Sequence, residues 1–213
     1  MFIFAVMIPT ISASFIACNP DGDGEFDIQT SAQAVELGLS VKWASCNVGA
    51  KSPEEYGSYF AWGETSSKSS YYENNSVTYG LSFSELESRG IINSDGNLTA
   101  EYDAATVNLG SVWRIPTHEE VKELLTNCTW KWVTVNGVKG CKVIGPNGNF
   151  IFLPAAGYYK GTSFIESGSC GDYWSATPYD DDSFTCFLFF SSVNNEWYGY
   201  CRYYGLTVRP VSK

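Results

Sequence analysis

Positive charge is what this chain has least of. No lysine or arginine occurs before Lys42, and 13 basic residues stand against 23 acidic ones, a formal net charge of -10. A nucleic-acid binder needs a basic patch or stripe, so that class is excluded, and anionic membrane surfaces are disfavoured on the same ground. There is a single histidine, His118, and none of the 7 cysteines falls in a C-x-x-C spacing. No zinc set can be assembled from these, so neither a metal nor another cofactor is expected. With only 2 methionines, adaptable thioether surfaces are missing as well. Long helical patterns are few, while glycine and serine are plentiful, which points to short strands joined by much loop.

What the chain has in their place is aromatic surface: 13 Phe, 14 Tyr and 7 Trp in 213 residues. The density is greatest from Ser167 to Lys213, and between Tyr179 and Leu206 there is no Lys, Gln or Met. Tyr and Trp give large contact area at low entropy cost, and Ser, Gly and Asn give adaptable hydrogen bonds, a combination suited to recognition. Side chains alternate across a strand, so the run Phe184 to Phe190 cannot be half-buried with every aromatic inside. Either both faces are covered or one row is exposed for binding, and the exposed row is the expectation. That row and its flanks nominate Asp180, Asp182, Phe187, Phe189, Tyr198, Tyr200, Tyr203 and Tyr204 as ligand-binding residues. Asp180-Asp181-Asp182 is read as a solvated acidic loop and not as a calcium site.

The N-terminal stretch 1–17 is apolar, too short to span a bilayer comfortably, and closes on small residues before Cys18. Phe15-Ile16-Ala17-Cys18 resembles a bacterial lipoprotein box, which implies lipidation of Cys18 and a membrane attachment through that lipid alone. The acidic, glycine-rich run after Cys18 reads as a solvated tether over 18–33, and it resembles a surface-export signal of Bacteroidetes lipoproteins. An outer-membrane lipoprotein exposed at the cell surface is therefore expected. Export permits disulfides among Cys46, Cys128, Cys141, Cys170, Cys186 and Cys201, with the pairing left open.

Residues 34–213 read as one domain. Val35, Leu37, Leu39, Val41 and Trp43 alternate with polar or small residues and predict a half-buried strand. The stretch from Thr65 to Gly80 lacks periodicity and reads as a surface loop. A turn of helix is expected over Ser84–Arg89, and Asp103 can cap a short helix that Gly110 ends. Thr117-His118-Glu119-Glu120 is a capping box, and Val121, Leu124 and Leu125 form the apolar stripe of the helix that follows. Capping and the helix dipole account for His118 and the glutamates without catalysis. Strands over Thr129–Val135, Val138–Ile144 and Asn149–Leu153, joined by Asn136-Gly137 and by Gly145 to Gly148, predict an antiparallel meander.

Several blocks, in order, carry a family resemblance. They are Leu37 to Gly49 (LGLSVKWASCNVG), Tyr59 to Glu64 (YFAWGE), Trp113 to Glu120 (WRIPTHEE), Gly145 to Gly148 with Phe152 to Gly157, Tyr173 to Thr177 (YWSAT) and Val208 to Val211 (VRPV). The set resembles the Fibrobacter succinogenes major paralogous domain, common among Bacteroidetes surface lipoproteins. The resemblance implies an α+β domain of C-type-lectin-like fold, of the formylglycine-generating-enzyme type. It also implies framework roles for Arg114, Arg209, Trp113, Trp174 and Trp197. The same fold family includes variable proteins of diversity-generating retroelements, in which AAY codons are rewritten at their adenines. Only Glu196 and Trp197 between Tyr179 and Leu206 lie outside the residues such rewriting reaches. Diversification and chance aromatic richness both remain open at this point.

The function these observations favour is a non-catalytic surface binding protein, taking a protein or a glycan from another cell or a host. Two alternatives stay in view. An enzyme related to the formylglycine-generating fold needs a paired cysteine arrangement, and Cys186 and Cys201 match no such motif. A structural subunit of a surface fibre is the other.

Overall fold

A computed structural model describes residues 32–179 and 182–213. The architecture is α+β, with mostly short antiparallel strands in small sheets and few short helices. Strands β1 (Ala34–Val35) and β2 (Lys42–Ala44) are followed by helices α1 (Phe83–Ser88), α2 (Ala104–Leu109) and α3 (His118–Asn127). The meander β3 (Thr129–Val135), β4 (Val138–Ile144) and β5 (Phe150–Pro154) comes next, then the hairpin β6 (Tyr158–Lys160) and β7 (Ser163–Ile165). The chain ends with β8 (Gly171–Pro178), β9 (Phe184–Phe190), β10 (Asn195–Cys201) and β11 (Val211–Ser212). The sheets are ordered β1-β2-β11, β10-β9-β8, β3-β4-β5 and β6-β7.

The three helices begin where the sequence supplies caps. Thr117 accepts from the Glu120 amide while the Glu120 carboxylate accepts from the Thr117 amide, so two free amides at the start of α3 are satisfied reciprocally. Asp103 accepts from the Ala105 and Thr106 amides at 2.9 Å and from the Ile115 amide at 2.8 Å. One buried carboxylate thus starts α2 and ties down the segment leading to α3. The β3–β4 turn has Asn136 at φ 49 and Gly137 at φ 84, the left-handed pair a tight hairpin needs.

The single strand expected over Val35–Trp43 is instead two short strands folded into a hairpin, with Val35 opposite Trp43. Gly38 takes φ 78, which a side chain would resist, and the chain turns there. Leu37 and Val41 still point into the core, so the apolar alternation is real but spans a reversal.

Two buried clusters sit on either side of the β8–β9–β10 sheet. One gathers Trp62, Leu86, Trp113, Trp174, Phe187 and Leu206; the other gathers Leu37, Trp43, Leu124, Val143, Leu188 and Phe190. Arg209 is 1 % exposed and lies where the segments meet. It donates to Asn47 Oδ1 and to the carbonyls of Ala44, Ser45 and Phe152 at 2.7–2.9 Å. Arg114 forms a two-pronged ion pair with Glu120. Trp174 donates to the Phe60 carbonyl and Trp62 to the Ser175 carbonyl, so these two rings are also satisfied at their polar ends. Trp197 differs: it is 37 % exposed and lies edge-to-face against His118 of α3.

Candidate ligand face and groove

The site is built from the same alternation that builds the core. In the β8–β9–β10 sheet, cross-strand partners share a face. Tyr173, Leu188 and Trp197 form one row, and Gly171, Phe190 and Asn195 another, on the side of α3. Tyr173, Leu188 and Phe190 are sealed there, with Tyr173 and Phe190 stacked at 5.7 Å. The opposite face carries the rows Asp172–Phe189–Glu196 and Trp174–Phe187–Tyr198, with Thr185 beside Tyr200.

Ring contacts on that second face are continuous. Phe189 meets Tyr198 at 5.7 Å, Tyr198 meets Phe187 at 6.2 Å, and Phe187 stacks on Tyr200 at 4.7 Å. Tyr200 then meets Tyr204, Tyr204 meets Tyr203, and Tyr203 meets Tyr79 across the chain, at 4.7, 4.7 and 4.9 Å. Six residues nominated from sequence are therefore one physical unit. Tyr198 is the most open of them, and Phe189, Tyr200 and Tyr203 are half-buried.

Two members are not exposed, contrary to expectation. Phe187 is 4 % exposed because β9 is the central strand, flanked by Trp174 and covered by the Tyr200 ring. Tyr204 is 6 % exposed because the turn closed by its amide on the Cys201 carbonyl tucks it against Tyr158 and Tyr200. The aromatic run in β9 is thus largely covered on both faces, and its open surface is supplied by β10 and the turn after it. Asp182 is exposed. Asp180 and Cys18 lie outside the described residues.

At the end of this aromatic ladder opens a groove of about 820 Å³. Tyr71, Tyr72, Lys160, Ile165 and Tyr203 contribute to its walls. The two walls come from segments 71–74 and 160–165, held together by reciprocal backbone bonds between Tyr71 and Gly161. Behind them Tyr71 donates to the Tyr59 carbonyl at 2.6 Å, and Tyr159 and Gly205 exchange backbone bonds. Gly205 packs against the Tyr71 ring so closely that a Cβ there would lie 2.7 Å from it. Tyr72 presents a ring 49 % exposed, and the Lys160 ammonium lies 5.4 Å from the centre of the Tyr204 ring. An open aromatic wall flanked by hydroxyl, amide and charged groups can stack on a flat apolar face and hydrogen-bond around its rim.

Sequence reasoning left the 65–80 loop without a role. Its Ser-Tyr-Tyr-Glu-Asn-Asn composition matches that of the C-terminal segment, and that shared composition is the signal that marks it as the second wall.

Asp172 is the other residue that pattern reading passed over. It is 1 % exposed, and its Oδ2 has no hydrogen-bond partner among the described residues. Burial, aided by the nearby Glu166, pushes its carboxyl up to about 7. Four of the cysteines are held away from the reactive thiolate. Burial pushes Cys128 up to about 11 and Cys141 and Cys170 up to about 12, and raises Cys201 as well. No disulfide joins the six cysteines of the described residues, and no cluster of metal-ligating side chains occurs among those residues. No helix of the described residues is long and apolar enough to cross a membrane. Comparison with family models, with curated proteins and with solved structures finds no match to the chain.

Proposed function

We propose that this chain is a non-catalytic binding protein, held at the bacterial surface by a lipid on Cys18, which takes a protein or glycan ligand on its C-terminal aromatic face and the adjoining groove. The observation that carries this reading is the unbroken ladder of ring contacts from Phe189 to Tyr79, which opens into a groove walled by Tyr72 and Tyr203. Exposed Tyr rings on a rigid frame are the side chains that dominate recognition surfaces. The raised thiols support a non-catalytic role, since a cysteine nucleophile needs the thiolate. The C-type-lectin-like scaffold of the formylglycine-generating type belongs to the same proposal. Small antiparallel sheets, short helices and long loops are compatible with it.

The test is a panel of glycans and peptides probed with the full chain and with the double variant Tyr72→Ser, Tyr203→Ser. The expected result is a ligand held by the parent and lost by the variant at unchanged melting temperature. A ligand held equally by both would remove the groove from the account.

A further inference from the structure

Beyond the aromatic ladder, one row of the sheet has a chemistry of its own, and its reading rests on the open face being the ligand surface. Across β8, β9 and β10 the residues Asp172, Phe189 and Glu196 lie directly opposite one another on that face. The Phe189 side chain therefore stands on the strand between those that carry the two carboxyl groups, with neighbouring strands about 4.8 Å apart. Tyr198 donates to Glu196 Oε2 at 2.8 Å and touches the Phe189 ring at 5.7 Å, which fixes one side of the row. Glu196 is exposed, Phe189 half-buried and Asp172 buried, so exposure falls along the row toward a carboxyl oxygen without a hydrogen-bond partner among the described residues.

We propose that the Asp172–Phe189–Glu196 row is a receptor for the guanidinium of an arginine side chain on a protein ligand. A guanidinium is planar, always charged and weakly hydrated, so it stacks on an aromatic face while its N–H groups reach carboxylates on either side. Phe189 supplies the stacking face, Glu196 the outer acceptor and Asp172 the inner one, with the ring tilting together with the bound guanidinium to open the buried carboxyl. A buried carboxyl without a partner is costly in the free molecule, and an arriving cation supplies the partner. The formal charge of -10 draws cations to the surface at long range. Lys160 over the Tyr204 ring shows the same kind of pairing within the chain itself.

The site carries a pH dependence through Asp172. The titratable groups around it are Glu166 and Cys170 in the turn after β7, Tyr158 in β6, Tyr173 in its own strand, Tyr200 and Glu196 in β10, and Tyr59. None of these is a cation, so Asp172 is protonated in the free protein below about 7 and its charge becomes available above it.

The experiment titrates the full chain with N-acetyl-arginine-methylamide, its lysine counterpart and its neutral citrulline counterpart, each at pH 6 and pH 8, followed by NMR. The expected order is arginine, then lysine, then citrulline, with tighter arginine binding at pH 8. Asp172→Asn is expected to weaken arginine binding roughly tenfold and to abolish its pH dependence. It removes an unpaired buried charge, so its melting temperature at pH 8 should match or exceed the parent's, which separates lost binding from lost folding. Glu196→Gln should weaken binding a few-fold at both pH values. Equal binding of the citrulline probe, or an unaffected Asp172→Asn variant, overturns the inference. If a panel ligand still depends on Tyr72 and Tyr203 in that case, the binding function stands without the arginine site. If no panel ligand is held either, both fall.

Discussion

The two faces of the β8–β9–β10 sheet come from the same strands, often from adjacent residues; each covers a buried cluster, yet they differ in how far solvent reaches into their rows. On the α3 side Tyr173, Leu188 and Phe190 are sealed, and Tyr173 sends its hydroxyl to the Pro154 carbonyl. On the other side the row that holds Asp172 passes from a buried carboxyl through a half-buried ring to an exposed carboxylate. Residues 189 and 190 are both phenylalanine, and one is solvent-accessible while the other is fully enclosed. Composition does not separate them; parity along the strand and the neighbouring element do. Two buried charges sharpen the contrast. Arg209 has each nitrogen engaged by a carbonyl or amide oxygen, as a framework charge should. Asp172 has an oxygen with nothing to accept from among the described residues.

The largest expected effect distinguishes the two phenylalanines. Phe190→Ala should cost about 3–5 kcal/mol in urea denaturation, because the cavity lies in a fully packed layer. Phe189→Ala should cost about 1 kcal/mol, since its neighbours and solvent can take up the space. Equal losses would mean that the faces do not differ.

A smaller effect comes from Asp172. Burial raises its folded carboxyl to about 7, against an ordinary value of 3.8 in the unfolded chain, so between these values the folded state binds more protons than the unfolded state. Stability therefore falls as pH rises through this window. From pH 5 to pH 8 the loss should be about 3 kcal/mol, and Asp172→Asn should flatten that part of the profile. A stability profile that is unchanged in the variant would show that Asp172 is satisfied in solution.

Thr117→Ala should cost about 1 kcal/mol through the lost cap of α3, which packs on the sealed face. Tyr198→Ala on the open face should change stability by about 0.5 kcal/mol or less while removing ligand binding. Thermal melts of the two variants, read beside binding, compare a residue that holds the sheet with one that uses it.

Much of this architecture was legible in the sequence where local chemistry decides it. The capping box at Thr117, the cap at Asp103, the Asn136-Gly137 turn and the β3–β5 meander rest on short-range rules, and each appears at its expected place. The hairpin hidden in Val35–Trp43 was not legible, because apolar alternation continues across the turn at Gly38. The aromatic residues nominated for binding do form one contiguous unit. The burial of Phe187 and Tyr204 was not readable, since it depends on Trp174, Tyr158 and Tyr200 arriving from other strands. The groove was invisible for the same reason: its walls at 71–74 and 160–165 are far apart in sequence and are joined by the Tyr71–Gly161 backbone pair.

The central claim is that the open face and its groove bind ligand while the sealed face only supports them. The most direct measurement probes the ligand panel with Tyr198→Ala, Tyr203→Ala beside the conservative sealed-face variant Leu188→Val. The account expects the first to keep its melting temperature and lose binding by more than roughly tenfold, and the second to melt lower and bind as the parent does. A ligand retained by the tyrosine variant, or lost only by the sealed-face variant, would contradict it.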